Sequence, residues 1–222
     1  MKSTRYIIVV AAGTGKRMGA PLPKQFLSVK GKPLLMHTLA RLHEFDADMN
    51  VLLVLHPDYV AYWKEQLAKH ELHIPHEIIA GGEERFHSVK CALDVIEDLN
   101  AVVGIHDGVR PLVSVDTLAR CFNAAEEHGN AVPVIAVNDS LRELSEHGNF
   151  AVERSRYRIV QTPQCFRVNE LKSAFNRPFS PSFTDDASVF EASGHSIHLV
   201  EGNRDNLKIT TPEDLYWLES RL

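Results

Sequence analysis

Short runs crowded with Ile, Val and Leu recur along the chain, separated by longer stretches in which apolar positions return every three or four residues. The runs are 5–10 (RYIIVV), 51–55 (VLLVL), 76–79 (HEII) and 101–106 (AVVGIH), and helix-like stretches of about 33–44, 58–70 and 84–98 lie between them. Runs dense in aliphatic residues, with little polar alternation, mark strands covered on both faces. Strand and helix in alternation predict an α/β fold with a mainly parallel, twisted sheet flanked by helices. A helix over 115–128 follows Ser114, a good N-cap with Asp116 in the first turn, and another strand-like run, AVPVIAV, occupies 131–137.

The pattern then changes. Residues 138–160, NDSLRELSEHGNFAVERSRYRIV, are polar and alternate around His147-Gly148-Asn149, which predicts a protruding β-hairpin arm. Helices are expected near 168–175 and 185–193, and a strand near 196–200. Thr211-Pro212-Glu213-Asp214 opens a further helix, with an N-cap, proline at the first helical position and acids in the first turn. No repeat, low-complexity segment or linker divides the chain, so 1–222 reads as a single domain with 138–160 as an excursion.

Composition narrows the function more than the fold. An apolar fraction of 44% and a net charge of −5 are those of an ordinary soluble protein and give no general affinity for nucleic acid. No apolar stretch approaches the ~20 residues of a membrane span, and the basic start MKSTR leads too quickly into glycines for a signal peptide. Cys91, Cys121 and Cys165 are odd in number and widely spaced, which fits reduced thiols and a cytoplasmic location. His70, His73 and His76 fall three apart, but Pro75 breaks the helical face a metal would need.

Any polyanionic ligand must therefore be met by local positive charge, and the first loop supplies it. After the strand at 5–10 comes AAGTGKRMGAPLPKQF, in which Gly13, Gly15 and Gly19 let backbone N–H groups approach an anion. Lys16, Arg17 and Lys24 add three positive charges within nine residues. The stretch is neither G-x-G-x-x-G, because Met18 stands at the third glycine, nor a P-loop, because Gly13 and Gly15 are one residue apart. A dinucleotide-binding oxidoreductase would also want an acid about 20 residues on, and PLLMHTLARLH has none before Glu44. A triphosphate suits the charge density better.

Three further stretches carry candidate chemistry. AGGEERFHSV (80–89) puts paired glycines after a strand, where a base or ribose could lie, and Ser88 within reach of a base edge. IHDGVRP (105–111) ends another strand with Asp107, a possible Mg²⁺ ligand, and Arg110, a possible anion contact, or else the two form a salt bridge. His106 reads as a packing or hydrogen-bonding residue. Downstream lie Arg154, Thr162 in QTPQ, Thr184-Asp185-Asp186 (a metal pair or an N-cap), and Lys208, a lone positive charge suited to phosphate.

Taken in order, AAGTGKRMG with PKQF, GGEERFHSV, HDGVRP, VERS, QTPQ, TDDAS and GNRDNLKITTPEDL resemble the cytidylyltransferases of the non-mevalonate isoprenoid pathway, those acting on 2-C-methyl-D-erythritol 4-phosphate. The resemblance implies a nucleotide-diphospho-sugar-transferase-like, Rossmann-like sheet and a homodimer interlocked by the arm. It implies that Ala11, Ala12, Gly13, Gly15, Gly82 and Ser88 bind the cytosine nucleotide, and that Arg17, Lys24 and Lys208 hold the triphosphate with Mg²⁺. Asp107, Arg110, Thr162 and Thr184 would face the sugar-alcohol phosphate, with Arg154 supplied by the partner's arm. Arg17, Lys24, Asp107 and Lys208 would carry the chemistry. Gly108-Val109 replace the two alanines frequent after that aspartate, and Ser140 replaces a threonine of the arm. Ribitol-5-phosphate cytidylyltransferases share several of these segments and give an alternative acceptor, although VERSRYRIVQTPQ is more similar to the methylerythritol enzymes. A non-catalytic nucleotide-binding module is the remaining class, and the full set of four polar groups speaks against it.

Overall fold

The computed structural model describes residues 3–13 and 22–222. In chain order, β1 (Arg5–Ala11) leads through a short 3-10 turn, Lys24–Phe26, and a small hairpin, β2 (Ser28–Val29) with β3 (Lys32–Pro33), into α1 (Leu34–Phe45). Then come β4 (Asn50–Leu55), α2 (Val60–Lys69), β5 (Glu77–Ala80), α3 (Arg85–Asp94), β6 (Val102–Asp107) and α4 (Val115–His128). The second half holds β7 (Asn130–Ala136), β8 (Arg142–Ser145), β9 (Gly148–Ala151), β10 (Arg158–Val160), β11 (Gln164–Arg167), α5 (Val168–Phe175), α6 (Asp186–Ala192), β12 (Leu199–Glu201) and α7 (Pro212–Glu219).

The main sheet runs β10-β7-β11-β6-β1-β4-β5, with β12 also paired to β7. β6, β1, β4 and β5 are mutually parallel, as the alternation predicts. β11 is antiparallel to both β6 and β7, and nothing in the apolar pattern foretold it. It is four residues long and follows a polar segment, although its first three residues are buried. Side chains of β1 alternate between two cores: Ile7, Val9 and Ala11 join Leu35, Leu39, Trp63 and Phe122 on one face, and Ile8 joins Phe86, Val89, Leu171 and Phe190 on the other.

A third, smaller cluster matters more for the site. Val29, Leu34, Val109, Ile209 and Leu218 pack together, and the Ile209 N–H donates to the Val109 carbonyl at 3.0 Å. Burial of each such side chain stabilises by about 1.5–3 kcal/mol, so the Lys208 stretch is fixed beside β6. Val109, one of the two residues that stand in place of alanines after Asp107, packs into this cluster.

Helix ends follow their sequence cues. Ser114 Oγ accepts from the Thr117 N–H at 3.1 Å, and Asp214 accepts from the N–H groups of Thr210 and Thr211 at 2.7 and 2.9 Å. α3 stops at Asp94, short of the 98 expected. The hairpin β8–β9 turns at Glu146-His147, one residue early, because Gly148 (φ +128°) takes a conformation that glycine tolerates best and opens β9. His76 is no metal ligand, since its Nε2 accepts from Trp63 Nε1–H at 3.0 Å. Among the described residues, no helix is long and apolar enough to cross a membrane.

Candidate active site

Asp107 ends β6 at the edge where parallel strands leave a crevice, opposite Val10 of β1. Its Oδ2 accepts from Arg110 Nε at 3.0 Å and lies 3.1 Å from Lys208 Nζ. The residue is only 6% exposed. Burial would raise its pKa, but Lys208, Arg85 and Arg110 outweigh that and hold the carboxyl well below the usual carboxylate range. A pocket of about 290 Å³ opens above it, lined by Arg85, Asp107, Arg110, Thr162, Thr184 and Lys208 among others. The fold thus gathers five of the expected site residues, drawn from motifs about a hundred positions apart.

Beneath the pocket a buried network fixes their positions. The Asp107 N–H donates to Thr162 Oγ1 at 3.1 Å, and that hydroxyl lies 3.0 Å from His106 Nδ1. His106 Nε2 lies 3.1 Å from the Arg110 carbonyl. One assignment satisfies all three: Thr162 donates to Nδ1, and His106 carries its proton on Nε2 and donates to Arg110. His106 is fully buried, and burial pulls its pKa down to about 4, so it stays neutral, as a hydrogen-bonding residue should. Arg110 Nη1 donates to the Asn206 carbonyl at 2.8 Å, and Asn206 Nδ2 donates to the Thr162 carbonyl at 2.8 Å. The Thr162 hydroxyl is therefore committed to holding the end of β6, although the residue lines the pocket.

Sequence reasoning gave Arg85 no role. Its Nη1 and Nη2 reach the two oxygens of Asp186 at 2.8 and 2.6 Å, joining the first turns of α3 and α6. Asp186 is fully buried, and burial pushes its pKa up against the pull of Arg85; the guanidinium itself is held above its ordinary range by Asp186 despite burial. Asp185 is the N-cap of α6: Oδ1 accepts from the Ser188 N–H at 2.9 Å and Oδ2 from Gln164 Nε2 at 2.8 Å. With both acids so engaged, the metal-pair alternative for Asp185-Asp186 is set aside. The available signal was an arginine in the glycine-glycine loop and an unexplained second acid at the cap.

On the nucleotide side, Ala11 ends β1, and Ala12 and Gly13 follow. A Cβ on Gly81 would come within 2.6 Å of Ala12 Cβ, and one on Gly82 within 2.5 Å of His87 Cβ. Gly81 thus lets the loop close against the exit of β1, and Gly82 lets it close against the first turn of α3. Ser88 is buried, and its Oγ accepts from the Gly82 N–H at 3.1 Å, holding that turn. Lys24 Nζ donates to the Ile209 carbonyl at 2.8 Å, which ties Lys24 to the residue next to Lys208. Gly15 and Arg17 lie outside the described residues.

The Asp107 Oδ2 is shared by Arg110 and Lys208. Among the described residues, no group of three His, Cys, Asp or Glu could hold a metal without a ligand's own oxygens. Arg154 stands apart from the pocket lining, on an exposed 3-10 turn, where its Nη1 donates to the Asn138 carbonyl.

A family model described as 2-C-methyl-D-erythritol 4-phosphate cytidylyltransferase matches residues 6–222. The chain belongs to this family. The Bacteroides fragilis 2-C-methyl-D-erythritol 4-phosphate cytidylyltransferase is 51% identical over 211 residues, covering 95% of this chain and 96% of that one. Its Bacteroides thetaiotaomicron counterpart is 49% identical over 209 residues, with coverage of 94% and 95%. The crystal structure of the Thermus thermophilus enzyme of the same name is 33% identical, with a TM-score of 0.76 and coverage of 100% and 98%. Membership in the methylerythritol phosphate cytidylyltransferase family removes the oxidoreductase reading.

Proposed function

We propose that this chain transfers the cytidylyl group of CTP to 2-C-methyl-D-erythritol 4-phosphate, giving CDP-methylerythritol and pyrophosphate. The observation that carries the reading is the Asp107–Arg110–Lys208 cluster at the end of β6, placed between the glycine turn of the nucleotide side and the Thr184 side of the pocket. The nearly full-length family match supports it.

The nucleophile is a phosphate oxygen whose second pKa is about 6, so it is already ionised near neutral pH and needs no general base. Its bond to the α-phosphorus forms as the α–β phosphoanhydride bond breaks, and pyrophosphate leaves with the electron pair. The protein's part is to align the two substrates and to stabilise the charge that grows on the leaving group. Lys24 and Lys208, anchored to one another through the Ile209 segment, meet the phosphates together with Arg17. Arg110 and Thr184 face the acceptor. Asp107, kept ionised, accepts from an acceptor hydroxyl and spaces the surrounding cations. Magnesium belongs to the substrate, carried on the triphosphate.

The proposal includes a homodimer that supplies Arg154 from the partner's arm. Every residue of β8 and β9 is exposed, and the hairpin shows Leu144 and Phe150 at 81% and 49% exposure, apolar surface that a second copy would cover. It also includes a cytoplasmic location, for which the three free thiols speak.

The deciding experiment is pyrophosphate release from CTP with methylerythritol phosphate against ribitol 5-phosphate. The expected outcome is a preference of about tenfold or more for the first. Equal or reversed rates would move the assignment to the ribitol enzymes, and no release with either would leave only a nucleotide-binding module.

A further inference from the structure

Three successive residues of the Lys24–Phe26 turn reach three different parts of the molecule. Phe26 is buried, with its ring centroid 5.5 and 5.2 Å from those of Tyr59 and Tyr62 and 6.2 Å from that of Trp63. That fixes the turn from below, against α2 and the residues leading into it. Lys24 reaches across to the Ile209 carbonyl. Gln25, only 3% exposed, sends its amide toward the exit of β1: Nε2 donates to the Ala11 carbonyl at 2.7 Å and to the Gly13 carbonyl at 2.9 Å. A primary amide has two N–H donors, and both are spent on the backbone where the strand becomes the glycine-rich loop.

Resting on the cytidylyltransferase reading above, we propose that Gln25 is a positioning residue for the nucleotide's phosphates. It sets the span between the Lys24 ammonium and the opening of the glycine-rich loop. Gln25 touches neither the phosphates nor the reacting atoms; it acts through Ala11, Gly13 and its neighbour Lys24. The geometry explains why a glutamine is needed at this place. A side chain of the same length without donors takes this partner from the buried Ala11 carbonyl and from the more exposed Gly13 carbonyl, and a carboxylate sets acceptor against acceptor.

The test uses Gln25→Met and Gln25→Glu in the full chain, with CTP and methylerythritol phosphate varied independently and thermal unfolding followed in parallel. Displacement of a reacting group by about 1 Å costs on the order of 10²-fold, so Gln25→Met is expected to lower kcat/KM for CTP by that order. The KM for the acceptor should stay within about threefold of wild type, which a general loss of structure would not permit. Gln25→Glu is expected to regain activity, relative to wild type at the same pH, as the pH falls, because the protonated acid donates one of the two hydrogen bonds. CTP parameters within about threefold of wild type in a folded Gln25→Met protein would overturn the proposal, as would equal damage to both substrates. Should Gln25→Met fail to fold, the pH profile of Gln25→Glu decides alone: recovery supports the proposal and a flat profile overturns it. The wild type in the same assay isolates the parent reading, since its failure to release pyrophosphate would defeat the enzyme assignment itself.

Discussion

The two halves of the sheet are built on different rules, and the pocket opens where they join. From β6 through β1 and β4 to β5 every neighbour is parallel, so the turns after these strands all emerge at one edge. There they present Gly13, Gly81, Gly82 and Asp107. β11 runs the other way between β6 and β7, with Gln164 opposite Ile105, so the residues just before it arrive at that same edge. Thr162 therefore stands beside Asp107 although the two come from opposite strand ends. One reversed strand gives a parallel sheet a second source of groups at its working edge.

The join is expected to be the least tolerant place in the molecule, and perturbations of decreasing size test that. Arg85→Ala leaves the buried Asp186 without its partner and should destabilise by about 3–5 kcal/mol in urea unfolding. The loss should shrink as pH falls, because burial has already raised the pKa of Asp186 and protonation removes the stranded charge. A change below about 1 kcal/mol would show that the strut between α3 and α6 is dispensable. Next comes Lys24→Ala, expected to cut turnover by about 3–4 kcal/mol of barrier, by analogy with one oxyanion donor. Retention of wild-type turnover within about threefold would remove Lys24 from the chemistry.

His106 gives a slightly smaller effect, of opposite pH sense to the Arg85→Ala strain. Its folded pKa of about 4 lies below the ordinary value of 6.5. Between these the unfolded chain takes up a proton that the folded one refuses, so stability is complete above the unfolded pKa and declines as pH falls toward the folded one. At ~1.4 kcal/mol per pH unit the full loss is about 3 kcal/mol, and His106→Gln should flatten the slope. The exposed arm closes the series. Leu144→Ser should leave the stability of the isolated chain within about ±0.5 kcal/mol while weakening self-association measured by sedimentation. In the same spirit, Arg154→Ala mixed with Lys24→Ala should recover activity if the arm completes the partner's site.

Legibility followed the same division. The parallel half could be read from its aliphatic runs because burial on both faces suppresses polar alternation. β11 escaped because Gln164-Cys165-Phe166-Arg167 is short and begins with a polar residue whose burial is made possible by its contacts to Asp185 and the Ala187 N–H. Asp107, Arg110, Thr162, Thr184 and Lys208 were legible as motifs, and the fold brought them together. What the motifs could not convey was which polar atoms are spent on structure. The Thr162 hydroxyl is committed to the end of β6 and Asp107 to Lys208, pairings across more than fifty positions, whereas the Asp107–Arg110 salt bridge and the Asp185 cap were alternatives the motifs left open.

The contact between Lys24 and the Ile209 carbonyl spans 185 positions of chain. During synthesis the glycine loops, Asp107 and Arg110 leave the ribosome well before Lys208 and Ile209 do. Until those two residues emerge, Asp107 lacks one of its balancing cations and Val109 lacks the apolar cover of Ile209. Lys208 follows the last strand of the main sheet in the chain, so the charge cluster at Asp107 is completed only after every strand that frames it has been made.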